Sequence, residues 1–230
     1  MREITLKDNE RLDDLQNGLY VIQDTNGFCF GIDAVLLSHF PVIYNKDRVL
    51  DMGCGCGIIP INMSAENEYA HFHGIEIQPY QAELAKRSVA YNGLEDRIEI
   101  IEGDIREACR IFGRASFSLI TCNPPYIKEQ GGKKSPNEAM AIARHEIKIT
   151  LSEVIGTAAA LLKIRGRFCM IHRPARLPEI IAEMKNVGLE PKRVQFVHSR
   201  INEEASMVMV EAVLGGGEYM IAEPPIILYE

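Results

Sequence analysis

The tetrapeptide Asn123-Pro124-Pro125-Tyr126 combines groups that could hold a flat amino group. It follows a short apolar run, 117–122, which predicts a strand, and α/β sheets place their active sites at the carboxyl ends of strands. The two prolines fix φ and have no backbone N–H, so the turn is a stiff edge of acceptors. The Asn123 side-chain oxygen and the Pro124 carbonyl could accept both amino hydrogens, while the Tyr126 ring stacks on the attached plane.

An amino nitrogen held in this way has its lone pair withdrawn from conjugation and directed at an electrophile. Methyl transfer to that nitrogen from a sulfonium is an in-line displacement, which depends mainly on positioning and on discharge of the cation. A general base is not required, because the proton can leave after the new bond has formed. For the four residues alone, a proline-rich structural turn is the alternative interpretation.

A glycine loop, 51–57, follows an earlier predicted strand at 48–52. Glycines at this place permit a tight turn and let the backbone approach a ligand closely. Glu76 ends the next predicted strand, where its carboxylate could accept hydrogen bonds from a ribose diol. Both features suit a dinucleotide as well as S-adenosylmethionine, and a merely structural turn is also compatible with the loop.

Two further acids favour the sulfonium cofactor. Asp51 precedes the first glycine, where it would repel a pyrophosphate but could hold an ammonium group. Asp104 follows a third predicted strand, at 98–102, and could accept a hydrogen bond from an adenine amino group. Three acids around a glycine loop fit a cation better than an anion.

This combination, in this order, resembles the S-adenosylmethionine-dependent amino-methyltransferases. The resemblance implies that Asn123 borders both cofactor and substrate, and it gives the remaining positions separate roles. The methionine part of the cofactor would face Asp51 and the three glycines Gly53, Gly55 and Gly57. The ribose hydroxyls would face Glu76, and the adenine would face Asp104. Cys54 and Cys56 replace the hydroxyl residues that are usual in such loops, which is a mild steric change.

Strand-like runs alternate with helical stretches from about residue 48 onward, which predicts a parallel sheet covered on both faces. The expected fold is a doubly wound, mostly parallel seven-stranded α/β domain of the Rossmann-like methyltransferase class over 46–230. Residues 1–45 would form an N-terminal extension that contributes to the cofactor pocket. The predicted strands are 48–52, 71–77, 98–102, 117–122, 166–172, 189–197 and 207–213, with helices at 79–92 and within 147–162.

Composition excludes several other classes of protein. The chain has 230 residues, 47% hydrophobic and 25% charged, which is ordinary for one globular domain. Since no apolar run approaches the ~20 residues that cross a bilayer, and residues 1–14 lack a signal-peptide core, we expect a cytoplasmic protein without a membrane partner. The six cysteines lack zinc-site spacing, so no metal is predicted and the thiols should be reduced.

Charge is distributed unevenly along the chain, which has a net charge of -7. Residues 128–200 hold 14 basic and 7 acidic side chains, a pattern expected of a local polyanion site, although solvated helix faces explain it equally well. The candidate RNA contacts are Lys128, Lys133, Lys134, Arg144, Arg173 and Arg176. Arg165, Arg167, Lys192, Arg193 and Arg200 could extend the basic track.

Several further segments resemble the bacterial family that methylates N6 of adenine 37 in valine tRNA. They are 15–23, 30–37, 143–146, 172–174 with 176–177, and 204–205, so the resemblance runs over nearly the whole chain. It implies that Phe30 and Asp33 help to close the cofactor pocket and that tRNA is the partner, with no obligate protein partner. His145 could contact substrate, although a structural role suits a histidine at a helix start better.

Two alternative functions stay open. Methyltransferases that modify a glutamine amide of release factors share the tetrapeptide, but their helical N-terminal domain is longer than the about 45 residues here. A methyltransferase-like RNA-binding protein without catalysis would have no use for an amine-orienting turn. A DNA methyltransferase should carry a target-recognition insertion, and no segment here is long enough to be one. A dehydrogenase would require NAD rather than S-adenosylmethionine in the glycine loop.

Overall fold

A mixed β-sheet with helices on both faces forms the centre of the molecule. The computed structural model describes residues 4–27, 29–124 and 149–229. The strands are β1 (Glu10–Asp14), β2 (Tyr20–Asp24), β3 (Arg48–Met52), β4 (His71–Glu76), β5 (Ile98–Glu102), β6 (Phe117–Cys122), β7 (Leu162–His172), β8 (Leu189–His198), β9 (Ala205–Leu214), β10 (Ile221–Ala222) and β11 (Ile226–Ile227). The helices are α1 (Ile32–His39), α2 (Ile58–Ser64), α3 (Pro79–Tyr91), α4 (Ala108–Phe112), α5 (Leu151–Leu161) and α6 (Leu177–Asn186).

The sheet confirms the predicted Rossmann-like class. Its order is β5-β4-β3-β6-β7-β9-β8-β10, with β11 also paired to β8. Strand β9 is antiparallel to β7 and β8, and the other pairs are parallel. The seven predicted strands are present, but the sheet has nine, because the two-residue strands β10 and β11 are too short to show a periodic pattern in the sequence.

The central strands are apolar on both faces, as a covered parallel sheet requires. Val49 of β3 packs in the cluster that contains the buried side chains of α1, α2 and α3. Its neighbour Leu50 points to the other face and packs with those of α4, α5 and α6. The chain order therefore reverses at β3, between β4 and β6, which is the point where doubly wound sheets open a ligand crevice. None of the described helices has the length and apolar character needed to cross a bilayer.

The N-terminal segment is built into the domain. Strands β1 and β2 form an antiparallel hairpin, and the fully buried Val21 and Ile22 share a hydrophobic cluster with Leu84 of α3. The buried carboxylate of Glu10 accepts two hydrogen bonds of 2.8 Å from the Arg87 guanidinium of α3. This pair fastens the hairpin to the same helix.

The Glu10 ion pair should stabilise the fold at neutral pH. Hydrogen bonding from Arg87 is the main cause that lowers the pKa of Glu10 from 4.5 to about 2. A lowered folded-state pKa stabilises the protein above pH 4.5, and this contribution is lost as the pH falls towards 2. We expect Glu10→Gln to lower the free energy of unfolding by about 2–3 kcal/mol at pH 7, since it removes the buried charged acceptor of two hydrogen bonds from Arg87.

Urea unfolding at pH 7 and pH 3 measures this effect. The difference between Glu10→Gln and the wild type should shrink at pH 3, and Asp96→Asn, at an exposed turn, serves as the matched control. Equal stabilities of Glu10→Gln and wild type at pH 7 would contradict the prediction.

Candidate active site

The carboxyl ends of four neighbouring strands bring the predicted acids and Asn123-Pro124 of the tetrapeptide to one edge of the sheet. Met52 at the end of β3 is paired with Ile75 of β4 on one side and with Cys122 of β6 on the other. Glu76 ends β4 opposite the last residue of β5, which Asp104 follows two residues later. Since parallel strands end together, the sequence-predicted positions converge at this edge.

The glycine loop is a tight strand-to-helix turn. Gly53, Gly55 and Gly57 have φ values of +77°, +52° and +85°, a region that residues with a side chain rarely adopt. At Gly57 an added Cβ would also lie only 3.1 Å from Cβ of Ala85 in α3. The N–H group of Gly53 donates to the carbonyl of Ile75 (2.9 Å), so the loop is held against β4. Helix α2 begins directly after Gly57.

Glu76 links the glycine loop to the end of β4. Its buried carboxylate accepts a hydrogen bond from the Gly55 N–H to Oε2 (2.9 Å) and one from the Gln78 N–H to Oε1 (2.9 Å). These bonds fix the plane of the carboxylate. Each carboxylate oxygen can accept more than one hydrogen bond, so the predicted contact with a ribose diol is compatible with this arrangement.

Asp51 is a buried acid with an unsatisfied oxygen. The Thr121 hydroxyl donates to its Oδ1 (2.7 Å), whereas Oδ2 is buried and has no hydrogen-bond partner among the described residues. Burial raises the pKa of Asp51 to about 7, and the nearby negative charge of Glu76 adds to the shift, while the bond from Thr121 opposes it. A buried oxygen without a donor costs free energy, so this carboxylate is suited to a cationic hydrogen-bond donor.

Asp104 has a cation beside it that the sequence prediction did not include. It caps a short 3-10 helix, 105–107, and accepts hydrogen bonds from the Arg106 backbone N–H (2.8 Å) and guanidinium Nε (3.0 Å). The side-chain hydrogen bond from Arg106 is the main cause that lowers the pKa of Asp104. The sequence places these opposite charges two residues apart, so the pair could have been considered from the sequence. The predicted adenine contact would share the Asp104 carboxylate with Arg106.

Asn123 is paired with a residue 90 positions earlier in the chain. Its side-chain Nδ2 donates to Oδ2 of Asp33, in the first turn of α1 (3.0 Å). The preceding segment is anchored by a hydrogen bond from the Phe30 N–H to the Gln23 side chain (2.8 Å). The structure thus brings Asp33 to the first residue of the tetrapeptide. Pro124 follows Asn123 in the described chain, whereas Pro125 and Tyr126 lie outside the described residues.

Two of the candidate RNA contacts lie just beyond β7, the neighbour of β6 in the sheet. Arg173 directly follows the strand, and Arg176 forms an ion pair with Glu179 (2.6 Å). His172, at the end of β7, accepts a hydrogen bond on Nδ1 from the Arg173 N–H, and burial lowers its pKa to about 4, so its ring is neutral at pH 7. The other candidates, Lys128, Lys133, Lys134 and Arg144, and also His145, lie outside the described residues.

Part of the wider basic track serves the fold. Arg167 is largely buried and pairs with Asp47 (2.8 Å), and Arg193 pairs with Glu211 (3.1 Å). The Lys192 ammonium donates to three consecutive backbone carbonyls at 217–219. These cations hold chain segments together, so a count of basic residues overstates the positive charge that a polyanion would meet.

Comparison with known proteins identifies the family of this chain. Residues 30–187 match the family described as "Methyltransferase small domain". A tRNA1(Val) (adenine(37)-N6)-methyltransferase of Porphyromonas gingivalis is 30% identical over 187 residues, which cover 79% of this chain and 72% of the relative. A protein of the same name from Phocaeicola vulgatus is 27% identical, covering 83% and 79% of the two chains.

Solved structures share the architecture. A predicted O-methyltransferase of Agrobacterium tumefaciens superimposes with a TM-score of 0.69 at 25% identity, covering 85% of this chain and 86% of that one. TYW2 of P. horikoshii, solved in complex with MeSAdo, has a TM-score of 0.64 at 16% identity, covering 91% and 73%. The sheet order, the glycine loop and these matches lead to one conclusion: the chain belongs to the methyltransferase small domain family, and the resemblance to the adenine-37 N6-methyltransferases of valine tRNA is confirmed.

Proposed function

We propose that this protein transfers a methyl group from S-adenosylmethionine to N6 of an adenine in RNA, with adenine 37 in the anticodon loop of valine tRNA as the substrate. The observation that carries the proposal is the position of Asn123-Pro124 at the carboxyl end of β6, beside the glycine loop that follows β3. This places an acceptor turn for a planar amine next to a crevice for a cationic cofactor. The names of the relatives support the N6 amino group of adenine as that amine.

The residues at the crevice suit the cofactor. The unsatisfied Oδ2 of Asp51 matches the ammonium of the methionine part, and Glu76, fixed by two backbone N–H groups, matches the ribose hydroxyls. Gly53, Gly55 and Gly57 let the backbone approach closely. When bound, S-adenosylmethionine supplies an electrophilic methyl group on a sulfonium.

The protein contributes orientation. The Asn123 side-chain oxygen and the Pro124 carbonyl accept the two N6 hydrogens and turn the nitrogen lone pair out of conjugation with the ring. Positioning of this kind accounts for most of the acceleration in a displacement that needs no acid or base. The proton leaves after the new N–C bond has formed. An unpaired loop adenine suits the site, because unstacking it costs less than opening a duplex.

Methyl transfer from a labelled cofactor tests the reaction and its substrate. The purified protein is incubated with undermodified total tRNA, ribosomal RNA and a release factor in parallel, and the products are digested and analysed by mass spectrometry. We expect label in N6-methyladenosine from valine tRNA at position 37. Label in glutamine would overturn the proposal in favour of the release-factor alternative.

Replacement of Asn123 separates catalysis from binding. We expect Asn123→Ala to lower kcat by about 100-fold or more, because one of the two acceptors for the amine is lost, while RNA affinity stays within a factor of about three. Activity is measured with saturating RNA and affinity by a filter-binding titration. An unchanged kcat would contradict the proposed role of Asn123. An RNA-binding protein without catalysis would instead show no methyl transfer in wild type or variant, with equal RNA affinity in both.

Cofactor affinity should depend on pH through Asp51. Because the pKa of Asp51 is raised to about 7, the free site is protonated below that pH, whereas an ammonium group requires the ionised form. We expect the Kd of S-adenosylmethionine to fall by about tenfold between pH 5.5 and pH 7. Calorimetry in buffers of different ionisation enthalpy should also show that binding releases a proton. Asp51→Asn should bind more weakly and without this pH dependence, and an Asp51→Asn protein with the wild-type profile would contradict the assignment.

The same acid should lower the stability of the cofactor-free protein. Its folded-state pKa of about 7 exceeds the ordinary value of 3.8, so ionised Asp51 destabilises the fold increasingly as pH rises from about 4 to 7. Asparagine at this position can still accept the bond from Thr121. We therefore expect Asp51→Asn to be more stable than wild type by about 3–4 kcal/mol at pH 8, since a pKa difference of about three corresponds to about 4 kcal/mol, and to lie within about 1 kcal/mol of it at pH 4. Urea unfolding without cofactor measures both values, and lower stability of the variant at pH 8 would show the prediction to be wrong.

A further inference from the structure

We propose that Asp33 is a positioning residue for Asn123: its carboxylate selects the one orientation of the Asn123 amide in which the oxygen faces the substrate amine. This inference rests on the proposed function and deepens it. The contact joins Nδ2 of Asn123 to Oδ2 of Asp33 at 3.0 Å, across 90 residues of sequence. Sequence resemblance alone assigned Asp33 to the cofactor pocket.

The selection follows from the hydrogen-bonding groups. An asparagine amide has two donors on its nitrogen and an acceptor oxygen, and rotation by 180° exchanges their places. An ionised carboxylate only accepts, so Asp33 can face the NH2 group but repels the oxygen. The flipped amide would present its own N–H groups to the amine of the substrate, and that arrangement cannot hold an amine. Asp33 therefore excludes an orientation that would be inactive.

The carboxylate also changes the acceptor strength of the amide. A hydrogen bond from Nδ2 to a charged acceptor is stronger than one to a neutral acceptor, and it polarises the amide so that Oδ1 carries more negative charge. The oxygen that would grip the amine thus becomes a better acceptor at the moment the nitrogen loses its conjugation. This effect acts on turnover rather than on binding of the cofactor.

The sequence around Asp33 is suited to holding this carboxylate in place. Asp33 lies in the first turn of α1, where the helix dipole favours a negative charge, and α1 is seated in the core through Ala34 and Leu37. Gly31 immediately precedes the helix, and a Cβ built there would lie 2.6 Å from Oδ1 of Asp33. Any larger residue at position 31 would displace the carboxylate. A rigid helix and a clear space beside it are what a positioning group requires.

A reciprocal exchange of the two side chains tests the contact. Asn123→Asp would set two carboxylates against each other, and Asp33→Asn removes the group that distinguishes the two amide orientations. The double variant Asp33→Asn/Asn123→Asp restores one donor and one acceptor across the contact, and the carboxylate at 123 can accept the amine with its second oxygen. Asp96 is exposed in the turn before the amino end of β5, whereas Asn123 follows the carboxyl end of β6. Asp96→Asn is therefore the control for loss of one negative charge.

We expect kcat to fall by about 100-fold in Asn123→Asp and by about tenfold or more in Asp33→Asn, with at least tenfold recovery in the double variant relative to Asn123→Asp. The Kd of S-adenosylmethionine, measured by calorimetry, should stay within about threefold of wild type in Asp33→Asn. A double variant no better than Asn123→Asp would overturn the proposal. Loss of cofactor affinity by the same factor as kcat would also overturn it, since Asp33 would then be a cofactor ligand.

A measurement without substrate separates this inference from the proposed function. In protein labelled with ¹⁵N-asparagine, the side-chain NH2 signals of Asn123, assigned by their absence in Asn123→Asp, should shift in Asp33→Ala but not in Asp96→Asn. Signals that do not move would show that the contact is absent in solution and overturn the inference. If the signals move but the wild type methylates no adenine in any RNA, the proposed function fails while the contact stands.

Discussion

A carboxylate buried at the end of β3 determines much of the chemistry of the crevice. Asp51 lies between two neighbours that constrain it: Thr121 on β6 satisfies one oxygen, and Glu76 on β4 adds a second negative charge nearby. Glu76 is in turn fixed by the N–H of Gly55, so the acids and the glycine loop form one connected unit. The unit is costly to the fold because no described residue donates a hydrogen bond to Oδ2 of Asp51. Such uncompensated groups persist at functional sites, where a ligand supplies the missing partner.

The N-terminal segment also reaches the edge of the sheet where Asp51 and Glu76 lie. The hairpin of β1 and β2 is fastened to α3 by Glu10 and Arg87, and α1 follows it across the core. The result is that Asp33 reaches Asn123 from a part of the chain that precedes the sheet. The segment predicted from sequence as an N-terminal extension therefore supplies a hydrogen-bond partner for Asn123, directly after β6.

The sequence predicted the sheet well because its strands are short apolar runs bounded by glycine or helical patterns. It did not predict the β1–β2 hairpin, since the first strand, Glu10–Asp14, has four charged residues out of five and no clear alternation. Strand β7 begins at Leu162, whereas the predicted strand began at 166, because the glycine at 166 resembles a strand boundary in the sequence. The structure continues the strand through this point, with Arg165 at a φ of +68°. Helix α5 begins at Leu151, where Thr150 and Glu153 form a capping box whose spacing was visible in the sequence.

The candidate site was predictable where function depends on residues close to a strand end. Asp51, Glu76 and Asn123 could be placed because each lies within one residue of the end of a recognisable strand. The contact between Asp33 and Asn123 could not be found in this way, because no local pattern indicates which helix turn will lie over which strand end. The state of Asp51 was equally hidden, since its raised pKa depends on complete burial and on the unpaired oxygen, and both are tertiary properties.

Substrate choice is separated from the chemistry in this molecule. In the proposed function, the acceptors of Asn123 and Pro124 would fit any planar amine, so adenine and a glutamine amide would be distinguished by surfaces outside the crevice. A count of basic residues cannot locate those surfaces, because Arg167 and Arg193 form ion pairs with Asp47 and Glu211 within the fold. Arg173 and Arg176 lie just beyond β7, next to the strand that carries Asn123, and Arg176 is itself paired with Glu179. Neighbouring strands lie about 5 Å apart, so a nucleic acid backbone bound by these two side chains would run close to Asn123. A single base turned out of that backbone could then enter the crevice.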